Sequence, residues 1–460
     1  MKVVIFGTGM YYRNRRAYID NKTEIVAFID SNINKIGRKI DGIMVYSPEK
    51  ISSLEYDVVI LCSIHATAMR RQLILLGVDE AKIQNWWMYY GKTRVGIINI
   101  LNFNYLSEAR GKKLLLISHS IDYSGAPMAL LYAAMALRGK GFEVAIAAPK
   151  ADRAYIDEFG DRRITFLEIP SLPYINEEDM YFFGQFDYII VNTLLMIYSA
   201  YILKKTLRVV LWVHESVREL FVRSVSEYEE LADEEKYIDI NACAVSGVSA
   251  NMCGEYYPGL IKRIIPYGIP DKNASYISES NSKMVFAVIG NICSFKGQDI
   301  FVEAVNIMKT EYRNKARFIV VGKCEDDCFK KKIEALNIRF GSVEFCGELN
   351  QAQIDELYST VDVVVCPSRV DSLPIAITEA MMRSKICVVS DVTGSCDYID
   401  NGINGYIFKT EDSEELSNIM ENIINGEGIV DNIRECARKT YEKYFSMEAF
   451  AVNLLNILEK

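Results

Sequence analysis

Histidine is scarce, with only His65, His119 and His214 in 460 residues. So few imidazoles assemble no zinc-ligand set around Cys324 and Cys328, and no metal is expected. Long apolar runs are missing too: stretches such as 128–137 stop well short of the roughly 20 residues that span a bilayer. Met1 runs straight into a strand-like segment at 2–6, without a basic leader, apolar stretch and cleavage site. A cytoplasmic location is therefore expected, and a peripheral contact with the inner face of a membrane stays open. Basic charge is short as well, 52 Lys and Arg against 61 Asp and Glu. Only residues 1–110 run the other way, 15 against 10, so the main body is acidic. That argues against nucleic acid as a partner. There is no Gly-x-x-x-x-Gly-Lys-Ser/Thr loop, no Gly-x-Ser-x-Gly elbow and no Asp-x-Asp pair. P-loop, hydrolase and metal-held diphosphate chemistry lose their usual carriers.

Eleven cysteines are present, several inside apolar runs (Cys62, Cys366, Cys387), which reads as reduced, buried thiols. The length exceeds what one hydrophobic core serves, so several domains are expected. Apolar strands alternate with helical patterns in three blocks, which predicts α/β architecture with parallel sheets covered on both faces. The first block reads as half of a doubly wound domain, with a linker around Gly91, Gly96 and Gly111 and a further apolar element at 95–101. The next two read as complete Rossmann-like doubly wound domains, joined near 266–282 and facing each other across a cleft. The expected boundaries are 1–110, 111–275, 276–440 and a C-terminal helix at 441–460 that crosses back. The last helix is predicted over 429–458.

Five constellations fall at the carboxyl ends of predicted strands, where α/β ligand sites lie. The first runs from Pro367 through Asp371 to Pro374 and into a helix carrying Glu379. The unpaired N–H groups of Leu373, Ile375 and Ala376 would present the helix's positive end to a phosphate. The bland reading makes Asp371 a helix-start residue and pairs Glu379 with Arg383. The second, Asn291 to Asp299, projects Lys296 into the cleft with Asp299 as a helix cap. The third combines His119 with Gly125, whose lack of a side chain lets backbone approach a ligand. The fourth places His214 after a buried strand. The fifth, Gly7, Gly9 and Asp30, fits a dinucleotide half-site without its third glycine.

Together these residues resemble the retaining glycosyltransferases of family 4, which have the GT-B fold. The resemblance covers roughly 113–460 and rests on an ordered set of motifs. Asp371-Ser-Leu-Pro-Ile-Ala-Ile-Thr-Glu379-Ala-Met carries the family's acidic pair, with Lys296-Gly-Gln-Asp, Ile265-Pro-Tyr-Gly-Ile, Asp362-Val-Val-Val-Cys-Pro-Ser and Asn401-Gly-Ile-Asn-Gly-Tyr around it. The resemblance implies that Glu379 holds the donor's ribose, Asp371 meets the transferred sugar and Lys296 neutralises the diphosphate. Asn291 stands where the family has an arginine, and Asp371 where it has a glutamate; Arg369 and Arg263 are the candidates to restore the charge. Base contacts are expected from backbone around Gly347 and Glu348. The first 90 residues resemble nucleotide-sugar-binding half-Rossmann units attached to bacterial polysaccharide enzymes.

The expectation is a metal-independent hexosyl transfer with retention, from a nucleoside diphosphate sugar to a glycan or lipid-linked glycan acceptor. Such a reaction belongs in bacterial surface polysaccharide synthesis. The sugar nucleotide is a co-substrate, and no cofactor is expected. Two alternatives remain: a non-catalytic homologue that binds sugar nucleotides, and an NAD-dependent oxidoreductase built on Gly7, Gly9 and Asp30.

Overall fold

A computed structural model describes residues 1–9, 12–13, 16, 23–63, 66–85, 98–108, 110–175, 179–227, 237–272, 283–338, 340–426 and 429–459. Gly91, Gly96, His65, most of the segment after Gly9 and most of the 266–282 joint lie outside these residues.

Three sheets follow one another along the chain. The first has the order Lys39–Ile40, Ile43–Tyr46, Glu24–Ile29, Lys2–Phe6, Val58–Leu61, Ile83–Asn85. Its pairs are parallel except the first, a hairpin turned by Asp41 (φ 50°) and Gly42 (φ 84°). Left-handed backbone at both positions matches the strand twist, and Asp-Gly supplies it cheaply.

The second sheet has eight strands: Ile261–Ile264, Asn241–Ala244, Val209–Val213, Tyr188–Asn192, Lys113–Ile117, Glu143–Ala148, Thr165–Glu168 and Asn99–Ile100. Only the last pairs antiparallel. The third is parallel throughout: Val343–Gly347, Ala316–Val321, Met284–Ile289, Val363–Cys366, Ile386–Ser390, Tyr406–Phe408. In both large sheets the strand order reverses about one inner strand, Lys113–Ile117 in the second and Met284–Ile289 in the third. In the second sheet the reversal falls between Lys113–Ile117 and Tyr188–Asn192, and in the third between Met284–Ile289 and Val363–Cys366. Connections leave in opposite directions at such points, which opens a crevice at the strands' carboxyl ends.

The expected single helix over 429–458 is three elements. Ile429–Thr440 ends in a π-helical turn at Tyr441–Phe445, and Ser446 then turns extended and caps Met447–Leu458 by accepting from Ala449 N–H. The break redirects the last helix onto Gly125–Arg138 of the second sheet's domain. Gly268 makes room for it, since a Cβ there would lie 2.6 Å from Phe450 Cβ. One apolar cluster runs from Leu114 and Trp212, through Phe450 and Leu454, to Ile377 and Val389. The two large lobes therefore share a core, which restricts how far they can part.

Candidate active site

The candidate residues cluster at both reversal points. In the third sheet's lobe, Ser294–Lys296 forms a short 3-10 turn after its strand, and Gly297 (φ 65°) starts the helix Gln298–Ile307. No other residue fits at 297, because a Cβ would sit 1.9 Å from the Pro367 carbonyl oxygen. That approach brings the loop against the one carrying Asp371. Lys296 Nζ donates to Asp371 Oδ2 at 2.6 Å, and the neighbouring carboxylate holds the ammonium's pKa well above its ordinary value. The two residues assigned separately to diphosphate and sugar thus touch each other.

Asp371 lies four residues before the helix Ile375–Met382, which opens at Pro374 with no side-chain cap. Its first N–H groups are thus without a side-chain cap. Glu379 lies on this helix, half-buried. Burial raises its pKa, opposed by the Arg383 charge and a hydrogen bond from Tyr358. Arg383 does not pair with it as the bland reading held; its guanidinium turns to Asp355 and stacks 4.4 Å over the Tyr358 ring.

Arg369 does not restore the missing charge. It grips Asp299 with both terminal nitrogens (2.9 and 3.1 Å), bonds Glu411 and donates to the Ser294 carbonyl at 2.7 Å. Asp299 is correspondingly no cap but a buried ion-pair hub that also takes Lys332 at 2.7 Å. Arg263 is exposed on Ile261–Ile264, the edge strand of the other lobe's sheet. Asn291 is exposed and gives its amide to Glu325 at 2.6 Å. Gly347 (φ 72°) and Glu348 are exposed at the end of their strand.

Across the crevice, His119 follows Lys113–Ile117, and its Nδ1 lies 3.5 Å from Thr193 Oγ1. Thr193 is strained, with φ 76° and ψ 148°. The strained turn is secured by buried Glu215, which accepts the Leu194 N–H on both oxygens (2.9 and 3.0 Å). Strain of this kind persists where surroundings over-determine it, commonly at functional sites. His214 adjoins His119: burial, then that neighbour's charge, pulls its pKa down to about 3. Among the described residues its Nε2 has no partner. Burial lowers the His119 pKa as well, so both imidazoles are neutral near pH 7.

The lobes meet at these loops. Ser372 donates to the His214 carbonyl and shares a hydroxyl–hydroxyl hydrogen bond with Ser216 (2.9 Å), and Tyr267 OH donates to the Leu373 carbonyl at 2.8 Å. Gly125, which starts the helix after His119, has Ile375 Cδ1 within 3.9 Å of where a Cβ would stand. Lys296, Asp371, Leu373, Pro374, Ile375 and Glu379 thus gather on one wall, with His119, Gly125 and His214 on the other. Asn291, Gly347 and Glu348 lie further along the strand ends.

In the first sheet's domain the Asp30 carboxylate is already engaged by Thr8 N–H at 3.0 Å and Lys35 Nζ at 2.9 Å. Thr193 and Tyr358 lie outside the motifs read from the sequence, and Glu215, Ser372 and Tyr267, though within them, were given no role of their own. Glu215, Ser372 and Tyr267 act through contacts with backbone atoms and Thr193 through its backbone angle, which residue identity does not advertise.

Paired Rossmann-like lobes with facing reversal points make up the GT-B fold. Solved proteins share the fold. HepE from Anabaena, solved in complex with UDP, aligns with TM-score 0.62 and 19% identity over 75% of this chain and 99% of its own. WaaG, described as a glycosyltransferase involved in lipopolysaccharide biosynthesis, aligns at 0.55 with 14% identity, covering 75% and 99%. Residues 272–440 match the model for glycosyl transferases group 1, and residues 110–236 that for glycosyl-transferase family 4. Each of the two large lobes thus matches a glycosyltransferase family model. Residues 1–84 match a different model, C2185-like, N-terminal.

Among curated relatives, the N,N'-diacetylbacillosaminyl-diphospho-undecaprenol alpha-1,3-N-acetylgalactosaminyltransferase of Campylobacter jejuni is 27% identical over 164 residues, 36% of this chain and 42% of its own. The UDP-Gal:alpha-D-GlcNAc-diphosphoundecaprenol alpha-1,3-galactosyltransferase of Escherichia coli is 23% identical over 199 residues, 38% and 48%. The chain matches less than half the length of each of these relatives. Among the described residues, no helix is long and apolar enough to cross a membrane.

Proposed function

We propose that the protein transfers a hexose-type sugar, with retention and without a metal, from a nucleoside diphosphate sugar to a glycan or lipid-linked glycan. The observation that carries the reading is the meeting of Lys296 and Asp371 beside the uncapped helix start at Pro374. A diphosphate placed there receives an ammonium and free N–H donors together. Glu379 then accepts from ribose hydroxyls, and Asp371, released from Lys296, accepts from hydroxyls of the donor sugar.

The acceptor approaches from the His119 and His214 wall. The bond between anomeric carbon and diphosphate oxygen breaks, and the acceptor oxygen bonds that carbon on the same face. The acceptor's proton passes to the departing phosphate oxygen. Lys296 and the helix start stabilise the charge that develops on the leaving group. Relatives named for transfer to diphospho-undecaprenol-linked sugars support an acceptor of that class and a place in surface polysaccharide synthesis.

The test is nucleoside diphosphate release from a panel of sugar nucleotides, by wild type and Lys296→Ala. Release that depends on Lys296 is expected; equal turnover in the variant removes its assigned role. A binding protein without turnover is the second reading, favoured by the Asn291 amide being committed to Glu325. Saturable nucleotide binding with no release from any donor would select it.

A further inference from the structure

A diphosphate carries at least two negative charges, yet Lys296 is one cation and Asp371 already offsets it. Arg369, the other cation of these loops, is committed to Asp299 and Glu411. The strand ends supply another. Ile289 pairs with Val321, and after the facing glycines Ile292 bridges Cys324 in the same register. Gly322 makes the approach possible, since a Cβ there would lie 1.9 Å from the Gly290 carbonyl oxygen. The register makes Asn291 and Lys323 lateral neighbours whose side chains leave the same face.

That face is identifiable. Ile292 joins Val288 and Val320 in the core on one side of the sheet. Val285, Ala287, Ile319 and Val321 join Ile377 and Ala380 on the other. Alternation assigns Asn291 and Lys323 to the second side, which carries the helix Ile375–Met382. Lys323 is exposed, and no hydrogen bond or ion pair of its side chain occurs among the described residues. Glu325, on the same face, has a carboxylate oxygen held by the Asn291 amide.

The geometry points to Lys323 as a second cation of the donor site, reaching the diphosphate from the strand next to the one that leads to Lys296. This rests on the donor-site reading above. The probes are UDP and GDP against UMP and GMP, titrated calorimetrically into the full chain. Lys323→Met weakens diphosphate binding about tenfold, the scale of one charge-assisted contact, and changes monophosphate binding much less. Lys323→Arg retains affinity, and Asn291→Arg added to Lys323→Met recovers most of it, because it restores a cation on the same face. Unaltered melting temperature is expected, the side chain being exposed. Wild-type diphosphate affinity in Lys323→Met, or loss for monophosphate and diphosphate alike, overturns the assignment while leaving the donor site standing. If wild type binds neither UDP nor GDP, the donor-site reading fails and this assignment falls with it.

Discussion

Lys296 and Asp371 form an ion pair of 2.6 Å across the reversal point of the third sheet, each at the end of a different strand. A nucleoside diphosphate drawn to Lys296 competes with Asp371 for the same ammonium charge, and binding is expected to exchange one anion for the other. Asp371→Asn removes the competing charge. It is expected to tighten nucleoside diphosphate binding while lowering transfer by about 10²-fold, as befits loss of an interaction used in the reaction. Separate measurement of Kd and kcat checks this; weaker nucleotide binding would contradict the competition.

Arg369 acts as a buttress, holding the Lys296 loop through the Ser294 carbonyl while gripping buried Asp299. Arg369→Met leaves Asp299 with Lys332 alone and is expected to cost about 2 kcal/mol in urea unfolding. Arg369→Lys recovers little, because a single ammonium cannot reproduce the bidentate fork. Equal stability of all three proteins would rule out the buttress.

Gly394 marks where the lobes touch: a Cβ there would lie 1.7 Å from the Ser372 carbonyl oxygen and 2.5 Å from Ser246 Cβ in the opposite lobe. Gly394→Ala is expected to cost about 1–3 kcal/mol and to prop the crevice open. Small-angle scattering should show a larger radius of gyration, with transfer reduced. An unchanged radius at full activity would mean that the loops yield without moving the lobes.

His214 gives a pH signature. Its pKa falls from 6.5 to about 3 in the folded chain through burial. The unfolded state therefore binds the extra proton first, and His214's stability contribution, complete above about pH 6.5, is lost as pH falls toward 3. At pH 5 the loss is about 2 kcal/mol. Glu215 and Glu379, with raised values, slope the other way above about pH 4.5. The informative quantity is thus the difference between wild type and His214→Phe in urea melts from pH 7 to 5. Parallel curves would refute a buried neutral imidazole.

Much of the architecture was legible because buried parallel strands are apolar throughout. Segments such as Lys113–Ile117 and Val209–Val213 stand out without any partner in view. The edge strand Ile261–Ile264 was not, being half polar and largely exposed, whereas Asn99–Ile100, only two residues long, falls within the apolar element expected at 95–101. The hairpin at Asp41-Gly42 carried an ordinary turn signal that went unread. The break at Tyr441–Phe445 has no glycine or proline to announce it. At the site, spacing brought Lys296, Asp371 and Glu379 to one wall. It could not reveal that the first two pair, that Arg369 faces away to Asp299, or that Thr193 is strained beside His119. Those facts depend on loops meeting across separate strands.

The most direct test is a crystal structure of the chain with UDP or GDP bound. The account predicts a phosphate within hydrogen-bonding distance of Lys296 Nζ and of the first N–H groups of Ile375–Met382, with Asp371 released from the ammonium. A nucleotide seated elsewhere, with the Lys296–Asp371 pair intact, would contradict it.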